Sequence, residues 1–276
     1  MESKIAVVII AKNEEKLITK TLDSLRNQDL KPYRIILVND GSTDRTEEIV
    51  STYNEVEIIN RKNIRENLQT KKELAETINA GLSKLKDEKD CMFIVKLDAD
   101  IILPKNYLST INERMTSNPK IAVSSGIIAG EYSVVPRGAG RVVRFDFWKK
   151  IGLMYPINYG FESYLLFKAR SLGYEVTIFE DLVMQTGRKT GSTFNPKLYY
   201  NYGLGMKTVG QTFPYVFFRS LIIAKKNPLR SFYLLKGFLS GYDDLYEPEL
   251  REYVKKMQYK NIKKLRFLRR FFNKLN

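Results

Sequence analysis

The chain of 276 residues contains no histidine and a single cysteine, Cys91. The absence of histidine excludes Ser-His-Asp triads and the zinc sites that depend on imidazole ligands. Any general base must therefore be an aspartate, a glutamate, a lysine, a tyrosine or the cysteine. Because one cysteine cannot form an intramolecular disulfide, the composition favours a reducing compartment.

Long hydrophobic segments are also lacking. A transmembrane helix needs roughly 20 apolar residues, and the nearest segment, residues 213–224, is shorter and contains Arg219. The apolar run at residues 5–10 is too short for the core of a signal peptide. We therefore expect a cytoplasmic protein that is soluble or lies peripherally at the inner face of the cell membrane.

Negative charge is scarce relative to positive charge. The 46 lysines and arginines exceed the 31 acidic residues, which gives a net charge of +15, and such an excess favours anionic partners. Residues 253–276 contain no acidic residue, and their apolar residues recur at helical spacing beside a cationic face, a pattern typical of interfacial helices. We expect this basic helix to bind an anionic membrane surface, or alternatively to pack its apolar stripe on the protein. No nucleic-acid motif is evident, so nucleic acid is not an expected partner.

The first part of the sequence alternates between apolar runs of strand length and amphipathic segments. Strands are predicted at residues 5–10, 34–38, 56–59 and 92–97, with helices between them, and this alternation implies parallel strands with right-handed crossovers. Shorter β-like segments follow at residues 121–125, 142–147 and 175–179, and the chain after residue 195 is predicted to be helical. The expected class is α/β, a doubly wound, mostly parallel sheet with a helical, basic C-terminal extension.

Polar clusters follow three of the predicted strands, at residues 11–15, 39–44 and 98–100. The carboxyl ends of parallel strands meet at one edge of the sheet, where ligands of such folds bind. Asp98 and Asp100 would face the same direction on a continuing strand, and carboxylate oxygens suit Mg²⁺ or Mn²⁺ bound to a diphosphate. Taken alone, an Asp-x-Asp sequence is better explained as a solvated strand end, because so short a motif often occurs by chance.

The three clusters together resemble signatures of the inverting family 2 glycosyltransferases, which have the Rossmann-like GT-A fold. Residues 5–15 (IAVVIIAKNEE) are similar to the opening strand and loop of that family, residues 34–46 (RIILVNDGSTDRT) to its second signature, and residues 97–100 (LDAD) to its metal motif. The resemblance implies a catalytic domain over residues 1–194, with a nucleotide half (1–100) and an acceptor half (101–194), followed by the helical extension 195–276.

The resemblance also implies roles for individual residues. Glu14 and Asp40 would contact the nucleoside, Asp98 would lie by the ribose and phosphates, and Asp100 would hold the metal. Ala11 and Asn13 would shape the nucleotide loop.

The general base of the family usually lies at the start of a helix, in a Glu-Asp sequence. The corresponding residues here are Glu162 and Ser163, so the glutamate is present and the aspartate is replaced. Glu162 could deprotonate an acceptor hydroxyl, or it could be a glutamate that the helix dipole stabilises.

A histidine that some relatives supply to the metal is absent from the corresponding segment, residues 184–191. Diphosphate, water or Gln185 would then complete the metal shell. Arg188 and Lys189 could contact the diphosphate, although an exposed loop position would explain both charges equally well.

The expected function is transfer of a sugar from a UDP- or GDP-linked donor, with inversion, to a glycan, a polyprenyl phosphate or a lipid-linked saccharide. A nucleotidyltransferase, which would release pyrophosphate, is an alternative, as is a catalytically inactive scaffold. A basic nucleic-acid-binding protein is a more remote alternative, and steep salt dependence of nucleic-acid binding would identify it.

Overall fold

The computed structural model describes residues 4–62, 71–188, 195–241 and 246–263, without the side chains of 71–72 and 261–263. The chain forms two compact units. Unit 1 comprises Met1–Pro156 and Leu172–Thr190, and unit 2 comprises Ile157–Ser171 and Gly191–Asn276. In chain order the elements are β1 (Lys4–Ala11), α1 (Ile18–Arg26), β2 (Arg34–Asn39), α2 (Thr46–Ser51), β3 (Val56–Asn60), α3 (Lys71–Ser83), β4 (Cys91–Asp98), β5 (Ile101–Ile102), α4 (Tyr107–Ser117), β6 (Ile121–Ile128), β7 (Gly140–Arg144), α5 (Phe145–Lys150), α6 (Phe161–Ser171), β8 (Glu175–Thr186), α7 (Pro196–Thr208), α8 (Phe213–Lys226), α9 (Pro228–Leu239) and α10 (Pro248–Lys263).

Unit 1 is built on an eight-stranded sheet with the order β3-β2-β1-β4-β7-β6-β8-β5. Strands β3, β2, β1 and β4 are parallel neighbours, as the alternation of strands and helices predicts. β7 is antiparallel to both β4 and β6, β8 is parallel to β6, and β5 is antiparallel to β8. The predicted α/β class with a mostly parallel sheet is therefore confirmed.

The sheet is buried on both faces in its centre, which explains the unbroken apolar run of β1. One face packs against α1, whose residues Ile18, Leu22 and Leu25 form a buried stripe at helical spacing. Helix α3 covers the opposite face. A Cβ atom added at Gly81 of α3 would lie 2.5 Å from Val8 Cγ1, so the missing side chain lets this helix approach the strand.

The segment predicted as a strand at residues 142–147 is only partly extended. β7 ends at Arg144, and α5 begins at Phe145. The spacing of Phe145 and Phe147 matches strand alternation, but Trp148 is buried as well. A strand would direct Phe147 and Trp148 to opposite faces, whereas one helical turn buries all three rings in the interior.

Unit 2 is helical, and the predicted helical C-terminal region is confirmed. Two glycines let α7 and α9 cross closely, since a Cβ at Gly203 would lie 2.1 Å from Leu234 O and one at Gly237 would lie 2.0 Å from Tyr200 O. Helix α6 belongs to this unit, although the proposed catalytic domain 1–194 would include it, and that boundary stays a prediction. Among the helices of the described ranges, none has the length and apolarity to cross a membrane.

Candidate active site

The loops after β1 and β2 are joined by backbone-to-side-chain hydrogen bonds. The backbone N–H of Asn13 donates to Ser42 Oγ at 3.0 Å, and that of Thr43 donates to Asn13 Oδ1 at 2.8 Å. The N–H of Glu14 donates to Thr46 Oγ1 at 2.7 Å. Asn13 has a φ of 55°, a left-handed conformation that asparagine tolerates better than most residues. The first two polar clusters therefore form one continuous edge, and Ala11 lies buried at its base.

Asp40 is fully buried directly after β2. Its Oδ1 accepts hydrogen bonds from Arg61 Nη1 at 3.0 Å and from Thr77 Oγ1 at 3.1 Å. Arg61 follows β3 and Thr77 lies on α3, so three elements hold this carboxylate in place. The sequence reasoning did not identify Arg61 or Thr77. The available signal was the position of Arg61 directly after a strand, in line with Asp40 on the neighbouring strand.

Asp98 and Asp100 lie at the end of β4 and directly after it. Lys96 Nζ donates to Asp98 Oδ1 at 2.5 Å, and Thr186 Oγ1 of β8 donates to Asp100 Oδ2 at 3.3 Å. Burial raises the pKa of Asp100 above the usual aspartate range, and the negative charge of Asp98 raises it further. The two carboxylates are therefore close enough to repel each other, and a cation between them would relieve that repulsion.

One guanidinium joins two of the predicted site residues. Arg188 Nη2 forms an ion pair with Glu14 Oε1, and Arg188 Nε lies 3.7 Å from Asp100 Oδ2. Burial raises the pKa of Glu14, and the hydrogen bond from Arg188 opposes that rise. Glu14 Oε2 is buried and has no hydrogen-bond partner among the described residues. The first and third polar clusters therefore meet at Arg188.

The residues at this edge fit a divalent cation that is only partly held by protein. Over the described ranges, no group of three or more acidic or cysteine side chains could hold a metal ion. Asp98 and Asp100 present carboxylate oxygens, the donors that Mg²⁺ prefers, and Mg²⁺ usually keeps several waters or phosphate oxygens as further ligands. Thr186, the neighbour of Gln185 on β8, is the residue that contacts Asp100, and a metal contact of Gln185 stays a prediction.

Glu162 lies in the first turn of α6, in unit 2, after the fully buried Phe161. At this position Glu162 could act as the general base or could be a glutamate that the dipole of α6 stabilises, so its catalytic role stays a prediction. Lys189 and residues 264–276 of the basic tail lie outside the described residues, and their predicted contacts with diphosphate and membrane are therefore untested.

The chain is similar to known proteins in sequence and in fold. Residues 6–172 match the family model described as Glycosyl transferase family 2. Glycosyltransferase GlyA of Streptococcus pneumoniae serotype 4 is 26% identical over 132 residues, which are 48% of this chain and only 17% of that protein.

Two solved structures share the fold at low sequence identity. One is S. aureus TarS 1-349 in complex with UDP-GlcNAc, with 17% identity, a TM-score of 0.56 and coverage of 86% of this chain and 73% of that chain. The other is the mannosyltransferase PcManGT from Pyrobaculum calidifontis in complex with GDP-Man and Mn²⁺, with 15% identity, a TM-score of 0.58 and coverage of 95% and 88%. The expected GT-A fold is confirmed.

Proposed function

Since the chain belongs to glycosyl transferase family 2, we propose that it transfers a sugar from a UDP- or GDP-linked donor to an acceptor with inversion at the anomeric carbon. One observation carries the proposal: four carboxylates lie at or just after the carboxyl ends of neighbouring parallel strands, and Arg188 contacts the first and the last of them. They are Glu14, Asp40, Asp98 and Asp100. The two fold neighbours support a nucleotide-sugar donor, because one is in complex with UDP-GlcNAc and the other with GDP-Man and Mn²⁺.

Asp98 and Asp100 would hold Mg²⁺ or Mn²⁺, which when bound would neutralise charge on the departing diphosphate. Arg188 lies beside the same carboxylates, so its guanidinium could exchange Glu14 and Asp100 for diphosphate oxygens, and Lys189 would add a second cation. Glu162 would take the proton of an acceptor hydroxyl while that oxygen attacks opposite the leaving diphosphate, which inverts the configuration.

Product analysis with Mn²⁺ and a set of UDP- and GDP-sugars tests this function. We expect release of a nucleoside diphosphate, and Asp100→Asn should lower kcat/KM by about 100- to 1,000-fold, a loss comparable to that of one strong electrostatic contact in a transition state. Asp181→Asn is the matched control, because Asp181 is an exposed carboxylate paired with Arg114. Release of pyrophosphate would indicate a nucleotidyltransferase. Unchanged turnover in Asp100→Asn would contradict the metal assignment.

We further propose that the acceptor is a lipid phosphate or a lipid-linked saccharide at an anionic membrane. Unit 2 exposes large apolar side chains along two adjacent helices, and those on α8 are spaced four residues apart. Residues 182–242 contain no acidic residue, and Arg219, Lys225, Lys226 and Lys236 are exposed on the same helices. The exposed apolar residues, here called the α8–α9 surface, are Phe213, Phe217, Leu221, Leu229, Phe232 and Leu239.

Apolar side chains between cations are typical of proteins that lie in the interface of an anionic bilayer. Sedimentation with phosphatidylglycerol vesicles should remove the wild-type chain from the supernatant. Phe217→Ser with Phe232→Ser, or deletion of residues 264–276, should reduce that binding. Tyr132→Ser, which changes an exposed aromatic residue of unit 1, should not. If wild type and all variants stay equally in the supernatant, the membrane part of the proposal is wrong.

A further inference from the structure

Two helices of unit 2, α7 and α9, enclose a small cleft, here called the α7–α9 cleft. Its volume is about 290 Å³. The residues that line it are Pro196, Lys197 and Tyr200 of α7 and Tyr233 and Lys236 of α9. Each helix therefore contributes one lysine and one tyrosine.

The close crossing of the two helices explains why these side chains meet. A Cβ atom at Gly237 of α9 would lie 2.0 Å from Tyr200 O of α7, so the two backbones touch beside Tyr200. Residues three positions apart share one face of a helix. Lys197 therefore lies on the same face of α7 as Tyr200, and Tyr233 lies on the same face of α9 as Lys236. The crossing brings the two lysine–tyrosine pairs to one cleft.

Both lysines of the cleft lack a counter-charge. Among the described residues, none forms an ion pair with Lys197 or Lys236, and residues 182–242 contain no acidic residue. Two like charges that line one cleft repel each other, and an anion bound between them relieves that repulsion. A phosphate group supplies the charge together with several oxygens that accept hydrogen bonds from ammonium groups.

The position of Lys236 on α9 indicates where such a phosphate comes from. Leu229, Phe232, Lys236 and Leu239 recur at intervals of three and four residues, and all four are exposed. They therefore form one helical stripe, in which the lysine lies between apolar residues of the α8–α9 surface. A phospholipid presents its phosphate next to its acyl chains, so it can contact the lysine and the apolar residues at the same time. A free phosphate ion has no apolar part for this stripe.

We propose that the α7–α9 cleft binds the phosphate group of an anionic phospholipid. This inference rests on the membrane part of the proposed function and adds a defined headgroup site to it. Lys197 and Lys236 donate hydrogen bonds to the phosphate oxygens, while Phe232 and Leu239 face the acyl chains. Tyr200 and Tyr233 suit this place, because tyrosine combines an apolar ring with a polar end and is enriched at membrane interfaces.

Binding to phosphatidylglycerol vesicles tests the inference with two double variants of equal charge. Lys197→Gln with Lys236→Gln changes the cleft. Lys225→Gln with Lys226→Gln is the matched control, since it removes two exposed lysines from the end of α8. Both variants lose the same diffuse attraction to the vesicle, but only the cleft variant loses hydrogen bonds from charged groups. We expect its vesicle affinity to fall about 10-fold further than that of the control.

Competition by soluble anions distinguishes a phosphate site from general screening. At equal ionic strength, sodium phosphate should displace the wild-type chain from vesicles more effectively than sodium chloride, and this difference should disappear in the cleft variant. Lys197→Arg with Lys236→Arg should retain vesicle binding. Because both lysines are exposed, the cleft variant should melt at the wild-type temperature; if it melts lower, the comparison of phosphate with chloride on the wild-type chain still decides.

Four results would overturn the inference, and they differ in what else they affect. If the cleft variant and the control lose equal affinity, the attraction is diffuse. If phosphate and chloride displace the wild-type chain equally, the cleft does not bind phosphate. If phosphate binds the cleft but the two double variants bind vesicles equally, the ligand is a soluble phosphate. If the wild-type chain does not bind vesicles, the membrane part of the proposed function fails as well, whereas glycosyl transfer is judged separately by product analysis.

Discussion

Replacement of Arg188 by glutamine removes the cation that Glu14 and Asp100 share. Arg188 Nε lies 3.7 Å from Asp100 Oδ2. At that distance two unit charges attract by about 4 kcal/mol at an effective dielectric constant near 20, and by about 1 kcal/mol in water. Because the Arg188 side chain is 53% exposed, solvent screens much of this attraction. We expect Arg188→Gln to lower the free energy of unfolding at neutral pH by about 1–2 kcal/mol.

The same variant should alter the pH dependence of stability. Burial raises the pKa values of Glu14 and Asp100 in the folded chain, so the folded state binds more protons than the unfolded state. Stability therefore falls as the pH rises from the ordinary carboxylate pKa through the raised values. Without Arg188, which lowers both pKa values, that fall should become larger and extend to higher pH.

Thermal unfolding between pH 4 and pH 8, with and without Mn²⁺, measures both effects. The loss at neutral pH corresponds to a fall in Tm on the order of 5 °C, and Mn²⁺ should stabilise Arg188→Gln more than wild type, because the ion replaces the missing cation. Arg114→Gln, which breaks the exposed pair with Asp181, is the matched control and should show neither effect. If Arg188→Gln matches wild type in Tm, in pH dependence and in its response to Mn²⁺, the bridging role of Arg188 is refuted.

Three further predictions concern the packing of the core, the reactivity of the single cysteine and the general base of catalysis. Gly81→Ala should lower the free energy of unfolding in urea by about 1–3 kcal/mol, because the new methyl group would lie 2.5 Å from Val8 Cγ1; an unchanged midpoint would contradict this packing. Burial raises the pKa of the Cys91 thiol to about 11, so iodoacetamide at pH 8 should modify it, as followed by mass spectrometry, only after unfolding; rapid labelling of the native chain would count against its burial. Glu162→Gln should lower kcat by about 100-fold or more without changing donor affinity if Glu162 is the base, and an unchanged kcat in steady-state assays would favour the helix-dipole role.

The sequence could predict the features that depend on local patterns and on the order of elements. Continuous β-branched runs separated by amphipathic segments indicated parallel strands, because each strand must be buried on both faces and each crossover needs a helix. Parallel strands end at one edge, so the positions of Asp40, Asp98 and Asp100 after their strands were sufficient to expect a common region. The contact of Thr186 Oγ1 with Asp100 was not expected from the sequence, because it depends on the register of β8; the metal contact of Gln185 stays a prediction.

What the sequence by itself determined was the fold class, the order of the polar clusters and the helical C-terminal region. Only the tertiary structure decided which charges meet. The ion pair of Arg188 with Glu14 and the contact of Arg61 with Asp40 join segments that are distant in sequence. The burial of Lys12 depends on how the neighbouring strands and helices pack around it. The physical reason is that hydrophobic periodicity reports which face of an element is buried, whereas ion pairs depend on register and packing over a few ångströms, which periodicity does not encode.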